Sequence, residues 1–254
     1  MNRKHEFLLP ALTFVLFAGL QLGGLSASAQ GPGPGLGQRP PLPPIPLKGD
    51  TTHTLSNHFT PASAAKKAPD AKGFIQRWLV LEPVKKDIAR NNIFTDNYLR
   101  TAFSTDNFSP DYTTVPKNGE TVNVGNQSLK WYALDSKAFN VNLYHFAYAL
   151  NQPKFGILVW LVTVVNCPEE INNVRLAAGC NSGSMWWLNG QEALLLSGDR
   201  DMIADNGTSA RLTLKKGKNI IRGAVINGPG MANFCVRFID EKGAPVKNFG
   251  ITYE

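Results

Sequence analysis

The chain has 254 residues with a formal net charge of +7, and 43% of its residues are hydrophobic. This length suits one large domain or two small ones, with enough apolar residues to form a buried core. Lysine and arginine stand singly, and no basic run is interleaved with aromatic residues, so the pattern of a nucleic-acid-binding protein is missing. Attraction to acidic polymers is one interpretation of the positive charge, and a solvated basic surface is the simpler one.

The first 29 residues have the pattern of a secretory signal peptide. A basic start at residues 1–4 precedes a nearly uncharged, apolar run at residues 7–25, and Ala27-Ser28-Ala29 supplies the small-x-small cleavage signature. We predict cleavage after Ala29, a secreted or periplasmic location and no membrane span in the mature chain.

Residues 30–71 have the composition of a linker. Proline and glycine dominate residues 31–46, and a polar segment rich in alanine, serine and threonine continues to about Ala71. Proline favours extended chain, and the segment has too little apolar surface to offset the entropy lost on ordering. We therefore predict a disordered linker at residues 30–71 and a folded domain at residues 72–254.

From Gly73 onward, short apolar runs alternate with turn residues, which is typical of strands. The predicted strands cover residues 74–81, 128–134, 143–150, 156–165, 174–178, 184–188, 191–196, 210–214, 220–226 and 234–239. The run at residues 157–162 is apolar throughout and β-branched, which predicts a central strand buried on both faces. One helix is predicted, within residues 87–103. The polar stretch at residues 104–127, which includes Phe108 and Tyr112, predicts a long surface loop of the kind that often binds ligands.

The clearest local pattern is a hairpin at residues 184–192 that contains two adjacent tryptophans. Asn189-Gly190 favours a two-residue type I′ turn, because both residues tolerate positive φ. Strand alternation places Met185 and Trp187 on one face, and Trp186 and Leu188 on the other. Since both faces are bulky, the strand is either buried twice, the simpler interpretation, or presents one tryptophan to a ligand.

Together, these segments predict an all-β domain. Nine or ten short strands separated by Gly, Asn and Pro indicate an antiparallel β-sandwich of jelly-roll type with one short helix. In its last strand, Phe234, Val236 and Phe238 are expected to face inward.

The three cysteines, Cys167, Cys180 and Cys235, fit two interpretations. An exported chain can form disulfides, so one bridge with one free thiol is one interpretation, and three reduced, buried thiols are the other. Their spacing matches no zinc site.

The sequence offers little support for catalysis. Residues 179–183 have Asn181 where the nucleophile elbow of a serine hydrolase needs serine. His145, the only histidine of the predicted domain, falls within a predicted strand, which favours a structural role. Carboxylates for glycoside hydrolysis lie in loops, and no pair can be singled out. A carbohydrate esterase or glycoside hydrolase with an unrecognised site remains the enzymatic alternative.

Carbohydrate binding requires fewer specifically placed residues than catalysis does. A sugar ring stacks on an exposed aromatic side chain while polar side chains take its hydroxyl groups. By type and position, the candidate binding residues are Trp186, Trp131, Tyr132, Tyr112 and Arg200. For each of them a structural role is the alternative.

The loop at residues 198–205 also suggests a metal. It carries Asp199, Asp201 and Asp205, and calcium prefers such hard oxygen ligands, although the spacing is not that of an EF-hand. A structural calcium ion bound by these three carboxylates is therefore one expectation, and no other cofactor is expected.

Four segments of the predicted domain are informative together: Trp78-Leu79-Val80-Leu81-Glu82-Pro83, Trp187-Leu188-Asn189-Gly190, Leu214-Lys215-Lys216-Gly217-Lys218-Asn219 and Phe234-x-Val236-Arg237-Phe238. They resemble the galactose-binding-like jelly-roll domains that accompany secreted polysaccharide-degrading enzymes. The resemblance, which covers residues 73–252, implies a non-catalytic carbohydrate-binding or accessory domain in polysaccharide degradation. Its expected partners are a polysaccharide or oligosaccharide and, in addition, a catalytic subunit. A structural, protein-binding domain at the cell surface is a further alternative.

Overall fold

A computed structural model describes residues 54–254. The predicted signal peptide and linker residues 30–53 lie outside these residues. The described residues form an antiparallel β-sandwich with few helices, as predicted. None of the helices in this part of the chain is long and apolar enough to cross a membrane.

The assignment of residues 54–71 to a linker is wrong, because this segment belongs to the domain. It contains a short helix and a strand, and Phe59 is 2% exposed in the core. The strand pairs with residues 134–136. Burial of the Phe59 ring and the backbone hydrogen bonds of this pairing offset the ordering cost that the polar composition suggested.

Three helices and fifteen strands lie within residues 54–254. The helices are α1 (Leu55–His58), α2 (Asp96–Thr105) and α3 (Leu143–Ala149), with a 3-10 turn at Asn91–Ile93. The strands are β1 (Phe59–Pro61), β2 (Arg77–Leu81), β3 (Val84–Lys85), β4 (Thr121–Val124), β5 (Gln127–Ser136), β6 (Val141–Asn142), β7 (Ile157–Cys167), β8 (Ile171–Cys180), β9 (Gly183–Leu188), β10 (Gln191–Leu196), β11 (Gly207–Thr208), β12 (Leu212–Leu214), β13 (Gly217–Asn227), β14 (Asn233–Ile239) and β15 (Gly250–Thr252).

The strands form two sheets. The larger sheet has the order β1-β5-β2-β7-β13-β9-β10, with β3 and β15 paired to β7 and β4 paired to β5. The smaller sheet has the order β11-β8-β14-β6, with β12 paired to β8. Strand β7 pairs with β13 from Cys167 to Ile157 and is buried at every position except Asn166, which confirms the predicted central strand.

The domain has two hydrophobic cores, one on each face of the larger sheet. The first lies between the sheets, where the rings of Trp78, Trp186 and Phe234 pack with centroid distances of 5.3 to 5.9 Å. Phe234, Val236 and Phe238 all face it, as predicted. The second core includes Trp160 and lies beneath α2 and the segment that follows this helix.

The tryptophan hairpin forms as predicted. Asn189 and Gly190 have φ values of 51° and 82°, as a type I′ turn requires. Trp186 lies in the first core and Trp187 in the second, so strand β9 is buried on both faces. A Cβ atom on Gly223 of the neighbouring strand would lie 2.3 Å from the Trp186 indole, so this ring fills the space that a larger residue at position 223 would need.

The predicted strand at residues 143–150 is wrong, because these residues form α3. Leu143, Phe146 and Ala147 are buried, which is the spacing of one helical face rather than strand alternation. Asn142 caps the helix, since its Oδ1 accepts a hydrogen bond from the His145 N–H at 2.9 Å. The His145 ring stacks on that of His58, with centroids 3.9 Å apart.

The predicted helix within residues 87–103 is confirmed only in its second half. Helix α2 begins at Asp96, and the hydroxyl of Thr95 caps it by accepting a hydrogen bond from the Tyr98 N–H at 3.2 Å. The residues before it form the 3-10 turn and extended chain.

The polar stretch at residues 104–127 covers the second core. The Phe108 ring lies 4.8 Å from that of Trp131 and 5.5 Å from that of Trp160.

The fully buried guanidinium of Arg222 lies 3.9 Å from the Phe108 ring centroid and 4.3 Å from that of Tyr112. It also donates to the carbonyl oxygens of Ser109 and Asp111, at 3.1 and 3.3 Å. Desolvation by burial lowers the pKa of Arg222 to about 10. The buried Arg222 guanidinium therefore holds this stretch against the second core.

All three cysteines are buried free thiols, which supports the reduced interpretation. Desolvation raises the pKa of Cys180 and of Cys235 to about 11. We expect a disulfide-exchanging thiol reagent at pH 8 to label essentially none of the thiols in the folded protein and all three after denaturation, because the thiolate is the reacting species. Fast labelling of the folded protein would contradict this.

The same thiols predict a loss of stability in alkali. Between pH 9 and pH 11 the thiols of the unfolded chain lose protons while those of Cys180 and Cys235 keep theirs. The unfolded state therefore binds fewer protons, and the thiol contribution to the free energy of unfolding falls as the pH rises. Urea titrations at pH 8 and pH 10 measure this thiol contribution to the free energy of unfolding when the protein is compared with its Cys180→Ala variant. An equal pH dependence of the two proteins would contradict it.

Candidate functional site

A polar pocket of about 170 Å³ opens at one end of the sandwich. Four connecting segments meet there: the 3-10 turn, the turn between β8 and β9, the loop after β10 and the turn after β13. The polar side chains that line the pocket are Asn91, Asn181, Ser182, Asp199, Arg200, Asp201 and Asn227. Pro229, Gly230 and Met231 complete its rim.

Asn91 joins two walls of the pocket. Its Nδ2 donates to Asp199 Oδ1 at 3.0 Å and to the carbonyl oxygen of Pro229 at 3.3 Å. Its Oδ1 accepts from the Gly228 N–H at 2.9 Å. One amide therefore fixes the Asp199 carboxylate relative to the turn after β13.

The floor of the pocket is formed by two buried polar side chains. Ser182 and Asn227 are each 1% exposed, and the Ser182 hydroxyl donates to Asn227 Oδ1. Asn227 Nδ2 donates to the carbonyl oxygen of Gly230 at 3.1 Å. The Ser182 N–H donates to the carbonyl oxygen of Arg200 at 3.3 Å, so the turn between β8 and β9 positions the loop that carries Arg200.

The mouth of the pocket carries charged groups with unused hydrogen-bonding capacity. Asp199 and Asp201 are exposed and Arg200 is half-buried. Within residues 54–254, the Asp201 carboxylate makes no hydrogen bond or ion pair. Arg200 donates through Nη1 to the Ser197 carbonyl oxygen at 3.3 Å and through Nη2 to Asn206, while its Nε is buried and has no partner among these residues. A buried donor of this kind costs about 1 to 3 kcal/mol unless a ligand or water satisfies it.

The structure thus gathers some of the sequence-predicted residues and separates others. Asp199, Arg200 and Asp201 come together in the pocket. Asp205 is held apart, because its carboxylate accepts hydrogen bonds from Arg237, one of them at 3.0 Å. Residues 54–254 contain no group of three His, Cys, Asp or Glu side chains that could hold a metal ion. The expected three-carboxylate calcium site is therefore not formed, since Asp205 has a cationic partner instead.

The two predicted tryptophan platforms are wrong. Trp186 and Trp131 are each 0% exposed, so neither can present an indole face to a sugar. Trp186 lies between the sheets with its Nε1 donating to Ser184 Oγ at 3.0 Å, and Trp131 lies beneath Phe108. Large apolar surfaces on both faces of a central sheet are covered by the rest of the fold, which removes these rings from solvent.

Tyr112 and Tyr132 are half-buried and lie outside the pocket. The Tyr112 ring packs 5.0 Å from that of Trp187. The Tyr132 hydroxyl donates to Glu82 Oε1 at 3.2 Å, and its ring packs 5.8 Å from that of Phe146. Both tyrosines therefore serve packing in the described part of the chain.

Sequence reasoning missed most of the amides of the pocket. A signal existed for Asn181 and Asn227, because each follows a predicted strand at a turn. No such signal marks Asn91, whose place depends on contacts with residues more than 100 positions away.

The fold and the pocket define an antiparallel β-sandwich whose loops enclose a small polar depression at one end. No protein-family model and no curated protein matches the chain.

Several solved structures are similar to this chain. The PA14 sugar-binding domain from an RTX adhesin has a TM-score of 0.39 and 10% identity, over 71% of this chain and 100% of that one. The PA14 domain of the antifreeze protein MpAFP has a TM-score of 0.41 and 12% identity, over 75% and 96% of the two chains. An epithelial adhesin A domain from Candida glabrata, in complex with beta-lactose, has a TM-score of 0.33 and 9% identity, over 76% and 94%. At these TM-scores and identities, the similarities show nothing about the function of this chain.

Proposed function

We propose that this domain binds carbohydrate, without cleaving it, in the polar pocket. The observation that carries the proposal is the convergence of Asp199, Arg200 and Asp201 with three asparagine side chains around one open depression. Sugar hydroxyls both donate and accept hydrogen bonds, and this set of carboxylates, amides and a guanidinium offers both kinds of partner. With about 170 Å³, the pocket is smaller than the sites of drug-sized ligands and suits part of a single sugar ring.

The contacts available at the mouth fit a neutral sugar. The free Asp201 carboxylate and the Asn91-held Asp199 carboxylate can each accept hydrogen bonds from hydroxyl groups. Met231, which is 42% exposed, and Pro229 offer apolar atoms to the C–H face of the ring. Two carboxylates against one guanidinium make the pocket unfavourable for an anionic ring.

The wider role that we propose is that of an exported accessory domain in polysaccharide degradation. The signal-peptide pattern and the proline-rich segment of the sequence support export and a tethered domain. Such a domain would hold a catalytic partner close to its polymer and raise the local substrate concentration.

The proposal predicts that Asp201→Asn weakens glycan binding about tenfold or more, because a charge-assisted acceptor is lost. A glycan array identifies the ligand, and calorimetric titration measures the affinity. The fold should be unaffected, since this carboxylate has no partner among residues 54–254. The matched control is Asp87→Asn, another exposed aspartate that does not line the pocket.

Equal affinity of the two variants, or the absence of any bound glycan, would contradict the proposal. Titrations with calcium and with a chelator test whether Asp199 and Asp201 share an ion with the sugar. Turnover of aryl glycosides or acetylated glycans by the purified protein would support the enzymatic alternative instead.

A further inference from the structure

A cluster of partly exposed aromatic side chains lies on α3 and the segment after it. We call Tyr144, Tyr148 and Phe155, together with Lys154, the aromatic platform. The Tyr144 ring centroid lies 5.6 Å from that of Phe155 and 6.2 Å from that of Tyr148. Phe155 is 48% exposed and the tyrosines are half-buried. Exposed apolar clusters often mark binding surfaces.

The aromatic platform is fixed beside the polar pocket by backbone hydrogen bonds. The Leu143 N–H, at the start of α3, donates to the Ala232 carbonyl oxygen at 2.8 Å. The Gly156 N–H, directly after Phe155, donates to the Gly228 carbonyl oxygen at 3.1 Å. Residues 228–232 therefore connect the two sites, because residues 229–231 form the rim of the pocket.

The backbone next to Phe155 is also fixed by a close contact with a neighbouring segment. Gly156 has a φ of 59°, and a Cβ atom there would lie 2.5 Å from the Lys86 carbonyl oxygen. Only glycine fits this close approach without displacement, so the backbone that carries Phe155 is held against a neighbouring segment.

Lys154 gives the aromatic platform a positive charge. Its Nζ lies 3.9 Å from the Tyr148 ring centroid and 5.4 Å from that of Tyr144. It forms no salt bridge with any carboxylate of residues 54–254. The ammonium group is therefore held on an aromatic surface with its capacity for an anionic partner unused.

We propose that the aromatic platform is a second subsite for the glycan bound in the polar pocket, and that it takes a uronic acid ring. The inference rests on the proposed function. The C–H face of the ring stacks on Phe155, whose ring is tilted 53° from that of Tyr144, and its carboxylate pairs with Lys154. Since the carboxylates of the pocket favour a neutral ring, the ligand is an oligosaccharide in which a uronic acid neighbours a neutral sugar.

The test compares an oligosaccharide of this composition with its carboxyl-reduced, neutral counterpart. Phe155→Ala should weaken binding of both about tenfold, because the stacking surface is lost. Lys154→Gln should weaken only the acidic ligand, by about threefold to tenfold at low salt, and less at high salt. The matched control is Phe139→Ala, which removes another partly exposed phenylalanine, 37% exposed and packed on Phe74.

The outcomes separate this inference from the proposed function. If Asp201→Asn weakens binding as expected but Phe155→Ala leaves both affinities unchanged, the second subsite is contradicted and the pocket stands. If Phe155→Ala weakens binding but the wild type does not prefer the acidic ligand, the assignment to a uronic acid is overturned. If no glycan binds the wild type, the proposed function fails, and this inference fails with it.

Discussion

Replacing Arg222 with leucine should lower the free energy of unfolding by about 3 kcal/mol. The guanidinium is 0% exposed, contacts the rings of Phe108 and Trp160, and donates to two carbonyl oxygens of residues 109–111. Leucine would remove these donors and leave the half-buried Ser109 carbonyl oxygen without this partner, while the Asp111 carbonyl oxygen keeps the Thr114 N–H and the Ser109 hydroxyl as donors. Because burial of the charge is itself costly, as the lowered pKa of Arg222 indicates, the loss comes from the unsatisfied Ser109 carbonyl oxygen, the lost ring contacts and the released segment rather than from the charge.

Urea unfolding measures this loss, and limited proteolysis reports whether cleavage appears first within residues 104–124. The matched control is Arg211→Leu, since Arg211 forms an ion pair with Glu241 at the surface, where both side chains are about half exposed. That change should cost about 0.5 kcal/mol or less. If the two substitutions destabilise the protein equally, Arg222 does not hold the cover of the second core.

Substitution of Gly179 by alanine should damage both the fold and the pocket. A Cβ atom at this position would lie 2.0 Å from the Ile203 carbonyl oxygen, and backbone atoms cannot move away as a flexible side chain can. This steric clash can be relieved only if the loop that carries Asp199, Arg200 and Asp201 moves. We expect a loss of about 2 to 3 kcal/mol in the free energy of unfolding and a loss of glycan affinity on the order of tenfold.

Gly250→Ala is the matched control for this change. Gly250 also lies in a strand, but a Cβ atom there would meet only the Lys66 side chain, at 3.3 Å, which can move aside. This variant should retain near-normal stability and affinity. Normal glycan affinity in a folded Gly179→Ala protein would show that the position of this loop does not matter for binding, which would count against the pocket as the site.

The proposed function and the second subsite imply that core packing and ligand recognition depend on different side chains. The five tryptophans of the chain, the largest aromatic groups available, are all buried and fill the two cores. Recognition is proposed to depend on amides and carboxylates at one end and on tyrosine and phenylalanine rings of a short helix and its following segment. A domain of this kind can alter its ligand by changing loops while the sandwich stays the same.

Local rules determined much of the fold. Alternation along β9 correctly assigned Trp186 and Trp187 to opposite faces, and Asn189-Gly190 specified the turn, because both depend only on neighbouring residues. The run at residues 157–162 was assigned to the central strand by its continuous apolar character. The same reasoning failed for α3, where the aromatic residues at positions 144, 146 and 148 imitate strand alternation although the apolar residues at 143, 146 and 147 follow a helical face.

The sequence by itself determined most of the longer strands and which of their side chains share a face, because these properties follow from the geometry of adjacent peptide units. Only the tertiary structure decided which faces are covered and which polar groups meet. Trp131 is buried because Phe108 packs over it, and Asn91 reaches the pocket because it bonds to the segments around Asp199 and Gly228. Contacts between residues so distant along the chain depend on the packing of the whole domain, which no local pattern encodes.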